Sequence, residues 1–146
     1  DEPVPDLSEL PGELFVFFFP PGTYFDAFPI HVLTTASLDA MRKVNPGATW
    51  DVRRFRPNFL IETTPETEGL VENEWASRRV RIGEVTIACS IPTVRCGMTM
   101  HAQGDLPKDS TVLRSIVRDA GQTLGMYANV ESCGGVRVGV SVELLG

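Results

Sequence analysis

Val80-Arg81-Ile82-Gly83-Glu84-Val85-Thr86-Ile87-Ala88 alternates apolar and polar residues on both sides of a glycine. A period of two predicts β-structure, because successive strand side chains point to opposite faces. Gly83 predicts either two strands or one strand bent at a bulge. Working outward, Asn58-Phe-Leu-Ile-Glu-Thr63 predicts a strand upstream, followed by an acidic surface loop over Pro65 to Asn73. Tyr127 to Glu131, Val136 to Val138 and Val140 to Leu145 predict closing strands separated by Gly134-Gly135 and Gly139. Leu14-Phe-Val-Phe-Phe-Phe19 predicts a further strand that stops at Pro20-Pro21-Gly22. Helical spacing occurs twice. Thr34 to Lys43 starts on hydroxyls and stops at Asn45-Pro46-Gly47. Asp109-Ser110 caps a second helix with Val112, Leu113, Ile116 and Val117 on one face and Gly121 past its end. Many short strands and two short helices make the chain mainly β, a β-barrel with a few short peripheral helices.

The 146 residues fit one domain, and 42% hydrophobic with 22% charged residues is globular composition. Residues 1–13, with Pro3, Pro5 and Pro11 among acids, read as a linker or entry arm, and 14–146 as the domain. The chain opens at Asp1 without a Met, as expected of a piece of a longer protein. A formal charge of −6 argues against nucleic acid or an anionic membrane as the main partner. The longest apolar run, Leu14 to Phe19, is far short of the ~20 residues a membrane span needs. Three cysteines do not make a disulfide framework, which fits a reducing, cytoplasmic location. Charge is unevenly spread. Residues 1–30 carry acids and no base, Arg53, Arg54 and Arg56 crowd together, residues 59–76 are acidic again, and Arg78, Arg79 and Arg81 follow.

Several chemistries drop out. Gly134-Gly135 lacks the Lys-Ser/Thr ending of a phosphate loop, two histidines cannot build a multi-His zinc centre, and no Gly-x-Ser-x-Gly elbow occurs. Cys96 and His101 are too close in sequence for an ordinary cysteine–histidine nucleophile pair. What remains is Pro92-Thr93-Val94-Arg95-Cys96-Gly97, which places a cysteine at a strand end or turn beside a guanidinium. Thiolates attack electrophiles and bind soft metals, and a neighbouring cation favours them; a small buried hydrophobe is the alternative. Cys89 reads as core, and His101 as a surface residue.

Four motifs in order then carry a resemblance: Arg54-Phe55-Arg56-Pro57-Asn58, Glu74-Trp75 after the acidic loop, Val80-Arg81-Ile82-Gly83, and Pro92-Thr93-x-Arg95-Cys96. His31 to Leu38, Leu113-Arg114, Gly125-x-Tyr127 and Val136-Arg137-Val138-Gly139 extend it. The chain resembles the MOSC domain, named from the C-terminus of molybdenum cofactor sulfurases. It is most similar to the C-terminal part of the mitochondrial amidoxime-reducing component and related bacterial MOSC proteins. The resemblance implies a β-barrel that holds the molybdenum cofactor (molybdopterin), with Cys96 as molybdenum ligand and catalytic residue. It implies cofactor contacts from Arg56, Asn58, Arg95 and Tyr127 and from the hydroxyls of Thr34, Thr35 and Ser37. The family association with pyridoxal phosphate comes with it.

Two activities follow from the resemblance. One is a molybdenum oxidoreductase that reduces N-oxygenated small molecules with electrons from a redox protein. The other is a sulfur-carrier or cofactor-delivery module in which Cys96 holds a persulfide received from a sulfur-donor protein. Two departures from the amidoxime reducers stand out. The N-terminal subdomain that helps hold the cofactor phosphate has no counterpart in residues 1–30, and Met100-His101-Ala102-Gln103 replaces their Thr-x-Asp pattern.

Overall fold

In the computed structural model, residues 27–146 are described. The expected arm over 1–13 and the expected strand Leu14 to Phe19 lie outside them. The alternating stretch forms two strands: β3 (Arg79–Ile82) and β4 (Val85–Val94) pair antiparallel, Ile82 facing Val85 across a Gly83-Glu84 turn. Gly83 has φ +59, the left-handed conformation that glycine enters without steric cost. β4 runs through Pro92 because the ladder shifts register on either side of that residue, so its missing N–H removes no regular bond.

Around this hairpin stand β1 (Ile30–Thr34), β2 (Phe59–Ile61), β5 (Thr123–Ser132) and β6 (Val142–Leu145). The order is β2-β1-β5-β4-β3-β6. Among the described strands only β1 and β2 pair parallel, and the helix that parallel pairing requires as a crossover is α1 (Thr35–Val44). The six strands curl into a half-barrel with β2 and β6 as edges, and α1 and α2 (Ser110–Asp119) are its α-helices among the described residues. The fold is mainly β.

Local chemistry explains the ends. Thr34 caps α1 by accepting from the Ser37 N–H at 3.1 Å, and Asp109 caps α2 by accepting from the Thr111 N–H at 3.0 Å. α2 buries Val112, Ser115 and Ile116. Val117, expected on that face, points outward because the buried stripe runs to Ala120 instead. Val136 to Val138, expected as a strand, forms no ladder: β6 already pairs with the free side of β3, and Val138 is fully exposed at a turn before Gly139.

β1 is buried on both faces. Val32 joins a cluster with Trp75, Val80, Ile87 and Met126, and Leu33 joins another with Met41, Trp50, Phe55 and Ile116. A side chain of that size contributes roughly 1.5–3 kcal/mol when fully buried. This strand is the axle of the molecule, and its two ends carry the polar groups of interest.

Candidate functional site

The cysteine is where the sequence places it. β4 ends at Val94, Arg95 and Cys96 follow, and a short 3-10 turn, Gly97–Met100, begins. Period two sends the two side chains apart: Arg95 turns inward and is 9% exposed, while Cys96 faces solvent. The residues flanking the thiol are open and apolar, Val94 at 56% and Met98 at 58% exposure.

Arg95 is held by three segments. Its backbone N–H donates to the Gln122 carbonyl at 2.9 Å. Its Nη2 donates to the Phe55 carbonyl at 3.0 Å, and its guanidinium carbon lies 5.4 Å from the Phe55 ring centroid. Its Nη1 stands 3.4 Å from His31 Nε2. The third donor, Nε, is buried with no partner. No carboxylate pairs with this guanidinium among the described residues; burial lowers its pKa, with Tyr127 and Cys96 acting in the other direction. A buried cation without an acid and with an idle donor is costly, so its retention calls for an acceptor or anion.

His31 sits at the start of β1, directly across from Tyr127 on β5, the rings edge-on at 6.1 Å. Burial first, then Arg95, drives its pKa from 6.5 down to about 4, so the imidazole is neutral. Tyr127 also stacks on Phe28 at 5.2 Å. Asn58 accepts from the His31 N–H through Oδ1 at 2.8 Å and donates its own N–H to the His31 carbonyl at 2.8 Å. Arg56 is exposed and has no side-chain hydrogen bond or ion pair among the described residues; its backbone is left-handed, φ +51. A non-glycine residue in that region stores about 1–3 kcal/mol, strain that concentrates at functional sites.

The hydroxyl group of candidates lies at the opposite end of β1. Thr34 Oγ1 and Ser37 Oγ both donate to Glu72 Oε2, at 2.7 and 2.5 Å, and Thr35 Oγ1 lies 3.0 Å from Thr63 Oγ1. Glu72 is completely buried and its second oxygen has no partner; burial raises its pKa, against the lowering from Ser37 and Thr34. The N-terminus of α1 is therefore occupied by the protein's own carboxyl group. The candidates divide into Cys96, Arg95, Arg56, Asn58 and Tyr127 at one end and Thr34, Thr35 and Ser37 at the other.

Sequence reasoning overlooked three residues. Arg54 is 1% exposed and donates to the carbonyls of Thr49, Thr99, His101 and Pro107. Glu72 was expected on the surface with its loop, although a hydroxyl-rich helix start with no acid in its first turn signals that an acceptor must come from elsewhere. His31 carried no signal beyond its place in the β1 segment. Cys89 is core, its thiol pushed up to about 11 by burial, and His101 and Cys133 are exposed. Among the described residues no three His, Cys, Asp or Glu side chains gather as a metal site, and no helix is long and apolar enough to cross a membrane. Two surface grooves lie away from Cys96, one beside Lys43 and Glu68, the other beside Thr35, Trp50 and Leu60.

The described residues form a mainly β half-barrel with an exposed cysteine at one strand end, beside a buried arginine that pairs with no carboxylate among them. The MOSC domain profile matches residues 21–143, so the chain belongs to the MOSC domain family, which is associated with molybdenum cofactor binding. Solved structures agree in fold. The YuaD protein from Bacillus subtilis aligns with a TM-score of 0.64 and 16% identity over 86% of this chain and 69% of its own. YiiM from Geobacillus stearothermophilus aligns at 0.55 and 18% identity, and YiiM from Escherichia coli at 0.55 and 15%. Each YiiM match covers 80% of this chain, which spans 54% of the YiiM chain. No curated protein matches the chain.

Proposed function

We propose that this chain is the cofactor-binding MOSC module of a molybdenum oxidoreductase that reduces N-oxygenated small molecules, with electrons from a separate redox protein. The observation that carries the reading is Arg95: a buried guanidinium with no acid partner among the described residues and an idle Nε, one residue from an exposed thiol. These residues suit a sulfur-ligated metal on an anionic pterin. Cys96 supplies one soft ligand to a metal that brings its other ligands with it. Arg95 and Arg56, whose guanidinium has no hydrogen bond or ion pair among the described residues, offer donors to anionic oxygens. Asn58 offers its Nδ2 and the second lone pair of Oδ1, whose first accepts from His31. When bound, the cofactor would supply two-electron oxygen-atom transfer; the chain would seat it, set its charge environment and leave one face open beside Val94 and Met98.

The test is molybdenum content of protein made in a cofactor-competent bacterium, wild type beside Cys96→Ser. Near-stoichiometric metal that falls sharply in the variant supports the reading. Metal-free wild type overturns it. The exposure of Cys96 favours a second reading, a sulfur carrier taking sulfane sulfur from a donor protein, and mass spectrometry of a Cys96 persulfide in metal-free protein would select it.

A further inference from the structure

Three motif residues converge on one histidine that none of the readings above uses. Asn58 locks its backbone from both sides, N–H and carbonyl, at 2.8 Å each. Gly125 makes room for its ring: with φ +95 it packs so closely that a Cβ there would fall 2.2 Å from His31 Nε2. Arg95 faces that same nitrogen through Nη1. Arginine has five donors and no acceptor, so a nitrogen at this distance can only join the contact with its lone pair. The ring proton then belongs on Nδ1.

We propose that His31 is a positioning residue: its Nε2 lone pair, with the Phe55 carbonyl, fixes the Arg95 guanidinium so that Nε stays free for an anionic group bound beside Cys96. The purpose assigned to the free Nε rests on the cofactor reading; the positioning itself does not. The arrangement leaves the guanidinium charge whole. A carboxylate in place of His31 would hold Arg95 equally well but neutralise it, and an imidazolium would repel it. A neutral acceptor does neither.

The first test needs no cofactor. Nitrogen-15 spectra of the full chain at pH 7 should show His31 with Nε2 unprotonated and Nδ1 protonated; a protonated Nε2 overturns the proposal whatever any variant does. The second compares His31→Gln, whose side-chain oxygen can reach the same donor, with His31→Leu, which offers none. Loss of the acceptor should speed solvent exchange of the Arg95 guanidinium protons by up to about tenfold in His31→Leu. His31→Gln should stay close to wild type, and equal effects in both would mean that His31 merely fills space. Molybdenum retention should follow the same order, with about 10–100-fold weaker binding in His31→Leu, as for other residues that orient ligands from behind. If wild type holds no metal, the cofactor reading fails while the two spectroscopic results still decide the role of His31.

Discussion

Arg54 and Arg95 are both buried arginines with no ion-pair partner among the described residues, yet they are used in opposite ways. Arg54 donates from Nε and both terminal nitrogens to four carbonyls, pinning the 97–109 segment to the turn at Thr49. Arg95 makes two contacts, one through a histidine ring, and keeps Nε idle. A guanidinium with all three nitrogens engaged inside the protein is part of the scaffold. One left short has a donor to spare. The contrast separates the two where burial alone would not.

The largest effect should come from Arg54. Arg54→Met leaves those four carbonyls, one buried and three partly buried, without their donor, and urea unfolding should show a loss of about 3 kcal/mol. Arg95→Met should cost far less, about 1 kcal/mol or none, because the idle donor disappears with the charge. Similar losses for the two would break the comparison.

His31 gives the next largest effect. Its folded pKa of about 4 lies below the ordinary 6.5, so between those values the unfolded chain binds a proton that the folded chain refuses. Stability should therefore be complete above pH 6.5 and fall by up to about 3 kcal/mol as the pH drops through 6.5 toward 4. The charged neighbour opposing protonation is Arg95, with Tyr127 facing the ring from β5. His31→Gln should flatten that slope, and an unchanged slope would place the proton uptake elsewhere.

Glu72 should act in the reverse sense. Burial raises its folded pKa, so the folded chain holds a proton more tightly than the unfolded one and stability declines as pH rises from the ordinary 4.5 through the raised value. Glu72→Gln removes that decline. At pH 8 it should be neutral or stabilising by about 1 kcal/mol, whereas Glu72→Ala should lose about 2 kcal/mol by stranding Thr34 and Ser37. The smallest effect belongs to Arg56. Arg56→Gly should relieve its left-handed backbone and gain about 1 kcal/mol while weakening molybdenum retention, a trade that a purely structural arginine would not make.

The parts of this pattern that were legible in the sequence are those set by local chemistry. Thr34 and Asp109 cap the helices that their spacing predicts, Gly83 turns the hairpin, and Cys96 falls at the end of its strand. Burial in the Arg53-Arg54-Phe55-Arg56 run was not legible. A 3-10 turn at Val52–Arg54 followed by a left-handed Arg56 breaks both regular periods, so neither predicts which arginine turns in. The resemblance assigns the Thr34, Thr35 and Ser37 hydroxyls to the cofactor. The anion-like group there is Glu72, from a 3-10 turn 35 residues beyond Ser37. Val136 to Val138 alternates like a strand, but the side of β3 opposite β4 is already taken by β6.

The pairing of β1 bears on the order in which the protein is made. Ile30 faces Ala128 and Val32 faces Met126, so the strand that carries His31 meets β5 only after β2, β3 and β4 have been made. The β3–β4 hairpin closes over two residues, and contacts that near in sequence form well before distant ones. Cys96 therefore follows a locally closing hairpin and is made ahead of Gln122 and Tyr127. Pulsed hydrogen exchange during refolding would read this order as early protection of Ile87 and late protection of Val32. Any group that depends on Arg95 being held can then be loaded only once β5 has been made and has paired with β1.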